Sequence, residues 1–187
     1  MSPFNIHTPE SAPQGSRPIL EGAQKALGFV PNLYGTFAES PELLKAYTTV
    51  GQIFDQTSFT PTERQIVLLA TSAINGCDYC MAAHSTIAGM QSVPADVVAA
   101  LRDDQPIADP KLEALRQFTT KLVEKRGWAD EADVNAFLAA GYTKAQVFEV
   151  VLGVGMKTLS NYTNHIAATP LDEAFQPQAW KRPETVQ

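Results

Sequence analysis

Residues 60–84 read TPTERQIVLLATSAINGCDYCMAAH, from Thr60 to His84. The stretch opens on a helix start. Thr60 stands as N-cap, Pro61 takes the first helical position, and Glu63 follows three residues after the cap, which makes a capping box. Ile66, Val67, Leu69, Ala70 and Ala73 then leave the helix apolar on nearly all sides, the mark of a central element. Asn75-Gly76 interrupts it, and a second helix beginning at Cys77 or Asp78 runs to about Met90. Neither half alternates like a strand, and the same holds along the chain, so the predicted class is an all-α helical bundle.

Working outward, similar punctuation recurs. Residues 1–16, with Pro3, Pro9 and Pro13 among polar residues, read as an extended arm. A short helix from Pro18 to Leu27 ends at Gly28, and Phe29-Val30-Pro31 is a break. Asn32 to Ala38 is a second short helix; Ser40 and Pro41 start a third that runs to about Gln56. Past the central stretch, Pro94 to Leu101 is short and amphipathic. Asp109 and Pro110 start a helix to Arg126, stopped by Gly127. Asp130 caps one that ends at Gly141, and Thr143 caps the last, Lys144 to Ala168, before Pro170. Trp128 is expected to cover an edge of the core. Residues 171–187 form a Pro-punctuated tail with Trp180 as its anchor.

Sliding the chain by 83 positions puts Phe59-Thr60 on Tyr142-Thr143 and Val67-Leu68-Leu69 on Val150-Val151-Leu152. Cys77, Tyr79 and Cys80 fall on Ser160, Tyr162 and Thr163. This suggests an internal helix-pair repeat in which only the first copy carries thiols and the second is scaffold. That two amphipathic helices would align as well by their period alone stays open.

The 187 residues fit a single domain spanning 1–187. A composition of 44% hydrophobic and 18% charged residues is that of a soluble globular chain. Low charge with many Ala and Val residues points to surface buried between copies, hence a homo-oligomer. A net charge of −6 and a pI near 5.0 argue against nucleic acid as a partner. No apolar run reaches the roughly 18 residues of a membrane span, and the polar N-terminus lacks a secretory pattern, so the expected location is cytoplasmic. There a pair of cysteines two residues apart is a poor structural staple, because it closes only a tiny loop.

On a helix Cys77, Cys80 and His84 fall at about 0°, 300° and 340°, one stripe of one face. His84 follows Cys80 by four residues and can reach its sulfur directly or through water. Cys77 lies at the helix start, where free N–H groups and the helix dipole favour a thiolate. The layout is that of a redox-cycling dithiol beside a base. Three competing readings exist: small buried hydrophobes; a zinc site with His165 or an acidic residue as fourth ligand; and a thioredoxin-like motif, which would need a preceding strand. The redox dithiol is the preferred reading, with no metal and no cofactor. His165 reads as structural or as reaching a site across a subunit interface, His7 as solvated, and Asn161 and Asn164 as makers of helix-terminal hydrogen bonds.

The runs Thr60–Val67 and Asn75–His84 resemble the core of the AhpD-like alkylhydroperoxidase and carboxymuconolactone decarboxylase superfamily, most specifically over residues 42–90. Phe29-Val30-Pro31-Asn32 and Asn161–Ile166 resemble its peroxidase-related branch. The resemblance implies an all-α fold with helix repeats, assembly as dimer, trimer or hexamer, and a thiol-dependent peroxidase. Cys80 would attack a hydroperoxide substrate and Cys77 would resolve the sulfenic acid to a disulfide. A dithiol electron donor would reduce that disulfide, and His84 would relay protons. Two positions depart from the family pattern: Gln65 stands where a Glu is expected, and Tyr79 where a His is expected. Gln65 cannot take a proton and Tyr79 is a poor relay base, with Glu63 as a supporting acid, so reduced or altered peroxidase activity is expected. A non-peroxidase redox sensor or disulfide exchange module, and a decarboxylase-like enzyme independent of the cysteines, are the alternatives.

Overall fold

Capping chemistry decides where the helices of this chain begin. In the computed structural model, which describes residues 3–183, five of nine α-helices start on a Ser, Thr or Asp side chain that accepts backbone N–H bonds. The helices are α1 (Arg17–Leu27), α2 (Asn32–Phe37), α3 (Pro41–Asp55), α4 (Pro61–Asn75), α5 (Asp78–Met90), α6 (Ala95–Arg102), α7 (Pro110–Glu124), α8 (Glu131–Ala139) and α9 (Lys144–Ala167). A 3-10 helix at Glu173–Gln178 follows. No strand occurs among the described residues. Residues 1–2 of the expected arm and 184–187 of the expected tail lie outside them.

α4 is the axle. It packs against α5, α6, α7 and α9. Ile66, Val67, Leu69 and Ala70 are all buried, as the nearly all-apolar sequence required. The Thr60–Glu63 capping box at its start is complete in both directions. α9 crosses α4 at close range because of Gly153. A Cβ there would lie 2.6 Å from Val67 Cγ1 and 2.8 Å from Phe54. The repeat is visible in the matching starts: Thr143 carries the same reciprocal box, and Phe59 and Tyr142, the residues before the two caps, meet edge to face. The copies then diverge. The first is divided at Gly76, which sits at φ 67° in the left-handed region, whereas α9 runs unbroken for 24 residues.

Three sequence expectations need correction. Trp128 does not cover the core; it is 85% exposed on the turn after α7. His7 is not solvated. Its Nε2 pairs with Glu39 at 2.8 Å, and the arm is hydrogen-bonded from His7 N–H to the Gly35 carbonyl, along α2. The tail is more than an anchor point: Phe175 packs edge to face on Tyr79, and Trp180 donates from Nε1 to the Arg102 carbonyl. Arg102 in turn donates to the carbonyls of Gln178 and Ala179, so the tail straps over α5 and α6. No single helix among the described residues is long and apolar enough to cross a membrane.

Candidate active site

The corner between α4 and α5 sets the dithiol. Gly76 N–H bonds the Ala73 carbonyl and Cys77 N–H bonds the Ser72 carbonyl, a Schellman closure that ends α4. Cys77 is at once the last residue of that closure and the N-cap of α5, its carbonyl accepting from Met81 N–H. The break therefore leaves no loop between the helices and fixes Cys77 one turn before Cys80. Both thiols are free and 1% exposed.

The two sulfurs share one proton unequally. The Cys77 thiol donates to Cys80, and this bond, with burial, pushes Cys77 above the ordinary thiol range. Burial also opposes an anion at Cys80. The donation from Cys77, the field of Lys157 and the Ser160 hydroxyl outweigh it, and Cys80 lies well below the ordinary range. The expected preference for a thiolate at Cys77, from its place at the helix start, is thus reversed. A free helix terminus acts on both sulfurs, while a hydrogen bond between them makes one the donor and the other the anion.

α9 supplies the opposite wall. Asn164 Nδ2 lies 3.3 Å from Cys80 Sγ and 3.7 Å from Cys77 Sγ, and Ser160 Oγ is 3.6 Å from Cys80 Sγ. The Asn164 carbonyl accepts the N–H bonds that close α9, as expected of a helix end, but its side chain donates to the dithiol. Asn161 does not cap a helix end. It accepts from Asn75 at 2.9 Å and lies against Ser72, tying α9 to the α4–α5 corner. Lys157 is the largest surprise. It is 0% exposed, and its Nζ has no hydrogen-bond acceptor of ordinary geometry. Tyr47, from α3, is buried on the same side; burial and then the nearby Cys80 push its phenol far up.

His84 is buried, and its Nδ1 lies 3.1 Å from Gln65 Oε1. The Gln65 amide is itself oriented by donating from Nε2 to Gln91 Oε1 at 3.0 Å. An amide oxygen only accepts, so His84 Nδ1 carries the proton and Nε2 is left as the acceptor. Burial and the Lys157 charge hold the ring neutral, well below its ordinary value. Tyr79 points away from the thiols. Its hydroxyl donates to the Asp172 carboxylate and accepts from Leu33 N–H, pinning the tail and the start of α2 to α5. Glu63 is occupied by the Thr60 cap and by Lys111 at 3.7 Å, and has no bond to the dithiol. His165 is exposed on α9. Among the described residues no three His, Cys, Asp or Glu side chains converge as metal ligands.

The sequence reading missed Lys157, Ser160 and the side-chain contact of Asn164. One signal was available. With Val150 and Gly153, these three fall at 150, 153, 157, 160 and 164, the buried stripe of α9.

The carboxymuconolactone decarboxylase family profile matches residues 41–121. No curated protein matches the sequence. Among solved structures, the chain is similar to an alkylhydroperoxidase AhpD core, an uncharacterized peroxidase-related protein from Ralstonia eutropha JMP134, at 24% identity and TM-score 0.83, covering 93% of this chain and 94% of that one. It is similar to a peroxidase-related protein from Silicibacter sp. TM1040 at 20% identity and TM-score 0.80, covering 95% of each. It is also similar to a variant of the debrominase Bmp8 in complex with 2,3,4-tribromopyrrole, at 19% identity and TM-score 0.79, covering 95% of this chain and 96% of that one. The chain as a whole thus has the AhpD-like helical fold, and the stretch that matches the carboxymuconolactone decarboxylase profile, residues 41–121, contains the dithiol.

Proposed function

We propose that the protein is a thiol-dependent peroxidase of the alkylhydroperoxidase type. The observation that carries this reading is the enclosed dithiol: Cys77 and Cys80 are free and 1% exposed, and Asn164 Nδ2 at 3.3 Å and Ser160 Oγ at 3.6 Å gather on the Cys80 sulfur, which favours Cys80 as the nucleophile and Cys77 as its resolver. The Cys80 thiolate attacks a hydroperoxide, the O–O bond breaks, and Cys80 leaves as a sulfenic acid while an alkoxide or hydroxide departs and is protonated. Cys77 then attacks the sulfenic sulfur, expels the hydroxyl and closes a disulfide. An external dithiol returns both sulfurs to the reduced state. His84, neutral with Nε2 as acceptor, relays protons out of the site. Tyr79 holds the tail in this scheme, and Glu63 takes no part.

Cys80→Ser is expected to abolish hydroperoxide consumption. Cys77→Ser should still react once and hold a sulfenic acid that a dimedone probe labels by mass spectrometry. Full turnover by Cys80→Ser would sink the assignment.

Gln65 favours a second reading. With an amide where a carboxylate was expected, the site contains no acidic side chain bonded to His84. A dithiol of this kind could serve disulfide exchange, or reduce a halogenated aromatic like the one bound by the debrominase neighbour. Bromide release from 2,3,4-tribromopyrrole and disulfide exchange, assayed beside peroxide consumption with the same donor, separate the three. Self-association belongs to the proposal as well, supported by an apolar stripe left exposed on α9: Phe148, Val151, Tyr162 and Ile166.

A further inference from the structure

Lys157 is the one buried charge-bearing group of the site that the scheme above does not use. Three observations bear on it. It is fully enclosed, although a lysine is almost never so without a partner. No Asp or Glu pairs with it among the described residues, and its Nζ has no hydrogen-bond acceptor of ordinary geometry. Ser160 and Asn164, one and two turns further along the same face of α9, end at 3.6 Å and 3.3 Å from Cys80 Sγ. An unpaired buried ammonium costs several kcal/mol or loses its proton. The anion able to offset it here is the Cys80 thiolate.

We propose that Lys157 is a catalytic residue of the dithiol: its ammonium is the counter-ion of the Cys80 thiolate and the acid that protonates the departing oxygen. The inference rests on the peroxidase reading for its second half only. In the attack, the Cys80 thiolate bonds to one peroxide oxygen and the O–O bond breaks. The leaving oxygen takes a proton from the Lys157 ammonium, giving Cys80 sulfenic acid, an alcohol or water, and a neutral amine. In the resolution that amine removes the proton of the Cys77 thiol. The Cys77 thiolate displaces hydroxide from Cys80, and the disulfide forms with the ammonium restored. Atoms and charge balance over the two steps, and the proton leaves and returns to one nitrogen. Gln65, the side chain bonded to His84, cannot move a proton; Lys157 supplies one from the opposite wall. Asn164, whose Nδ2 lies 3.3 Å from the same sulfur, has a buried Oδ1 without a hydrogen-bond partner, free to accept from the peroxide hydroxyl.

The test titrates the thiolate absorbance near 240 nm in the full-length reduced protein, with Cys80→Ser as the blank. The groups acting on that signal are Cys77 and His84 from α5, Tyr34 from α2, Tyr47 from α3, and the Tyr79–Asp172 pair under the tail. Lys157→Met is expected to raise the midpoint by about two pH units, and Lys157→Arg to keep it low. The rate constant for Cys80 oxidation by hydrogen peroxide at pH 7 should fall at least about tenfold in Lys157→Met. It should recover only in part above the new midpoint, because the acid is gone as well. An unchanged midpoint in Lys157→Met overturns the proposal. Should Lys157→Met alone fail to fold, a Cys80→Ser/Lys157→Met double variant decides. It should be more stable than Cys80→Ser, in which the ammonium has lost its anion, and equal or lower stability overturns the pairing. The titration uses no peroxide. A low wild-type midpoint that depends on Lys157, in a protein that consumes no hydroperoxide, sinks the peroxidase reading and leaves the pairing. Undiminished peroxide consumption in Lys157→Met does the reverse.

Discussion

Burial and the field of Lys157 both hold the His84 imidazole neutral, well below its ordinary titration point. In the unfolded chain the same ring titrates near the reference value of about 6.5. As pH falls below about 6.5 the unfolded state takes up a proton that the folded state does not, so stability is lost; above that point the two states bind protons equally and the dependence vanishes. Between pH 7.5 and 5.5 the wild type should therefore lose about 1.4 kcal/mol more than His84→Gln, read from urea unfolding at each pH. Equal losses would mean that the folded imidazole is charged. At this scale the sequence was informative where contacts are local. Cys77, Cys80 and His84 are set by their spacing along one stretch, and the structure brings the two thiols together and buries His84 with them. It does not bond His84 to Cys80; Gln65 takes that ring instead. Lys157, Ser160 and Asn164 reach the sulfurs from another helix. Their approach depends on how α9 packs, which no local pattern encodes.

Two glycines on α9 make the element scale measurable. Gly153 faces Val67 and Phe54, and a methyl group there would have to displace both. Gly155, two residues on, has nothing within 4 Å of where a Cβ would sit. Gly153→Ala is expected to destabilise by about 1–3 kcal/mol, as overpacking does. Gly155→Ala should stabilise by roughly 0.5–1 kcal/mol, the usual gain from removing a helical glycine. Opposite shifts in the urea midpoint check the pair; shifts of the same sign would show that α9 does not lie as described. Helix existence was largely legible because the signals are short. Side-chain caps at Ser40, Thr60, Asp109, Asp130 and Thr143, and stops at Gly28, Gly76, Gly127 and Gly141, all act within one turn. Two features escaped. α7 ends at Glu124 rather than Arg126, because Arg126 itself adopts φ 52° in the turn before Gly127. The 3-10 helix contains Pro177 and has no repeating apolar face, so its order comes from lying on Tyr79 through Phe175.

Over the whole molecule the exposed apolar residues are not scattered evenly. Phe148, Val151, Tyr162 and Ile166, spaced three, eleven and four residues apart, fall along one side of α9, with the open Gly155 between Val151 and Tyr162. Phe148 is 73% and Ile166 69% exposed in the single chain, and an apolar stripe of this kind marks an interaction surface. If copies associate through this side, a Phe148→Glu/Ile166→Glu variant should sediment as a smaller species than the wild type while keeping its far-ultraviolet circular dichroism. An unchanged sedimentation coefficient would move the contact elsewhere. The other large-scale feature is the tail strapped over α5. Trp180 is half-buried with its indole N–H bound to the Arg102 carbonyl, and Trp128, on the turn after α7, stands 85% in solvent. The chain has only these two tryptophans. Its intrinsic emission is therefore the sum of a solvent-exposed lamp with little to report and a second lamp fixed to the strap above the dithiol helix. Replacing Trp128 by Phe leaves a protein that carries its own optical gauge, a single indole whose colour reports on the strap over α5 and α6.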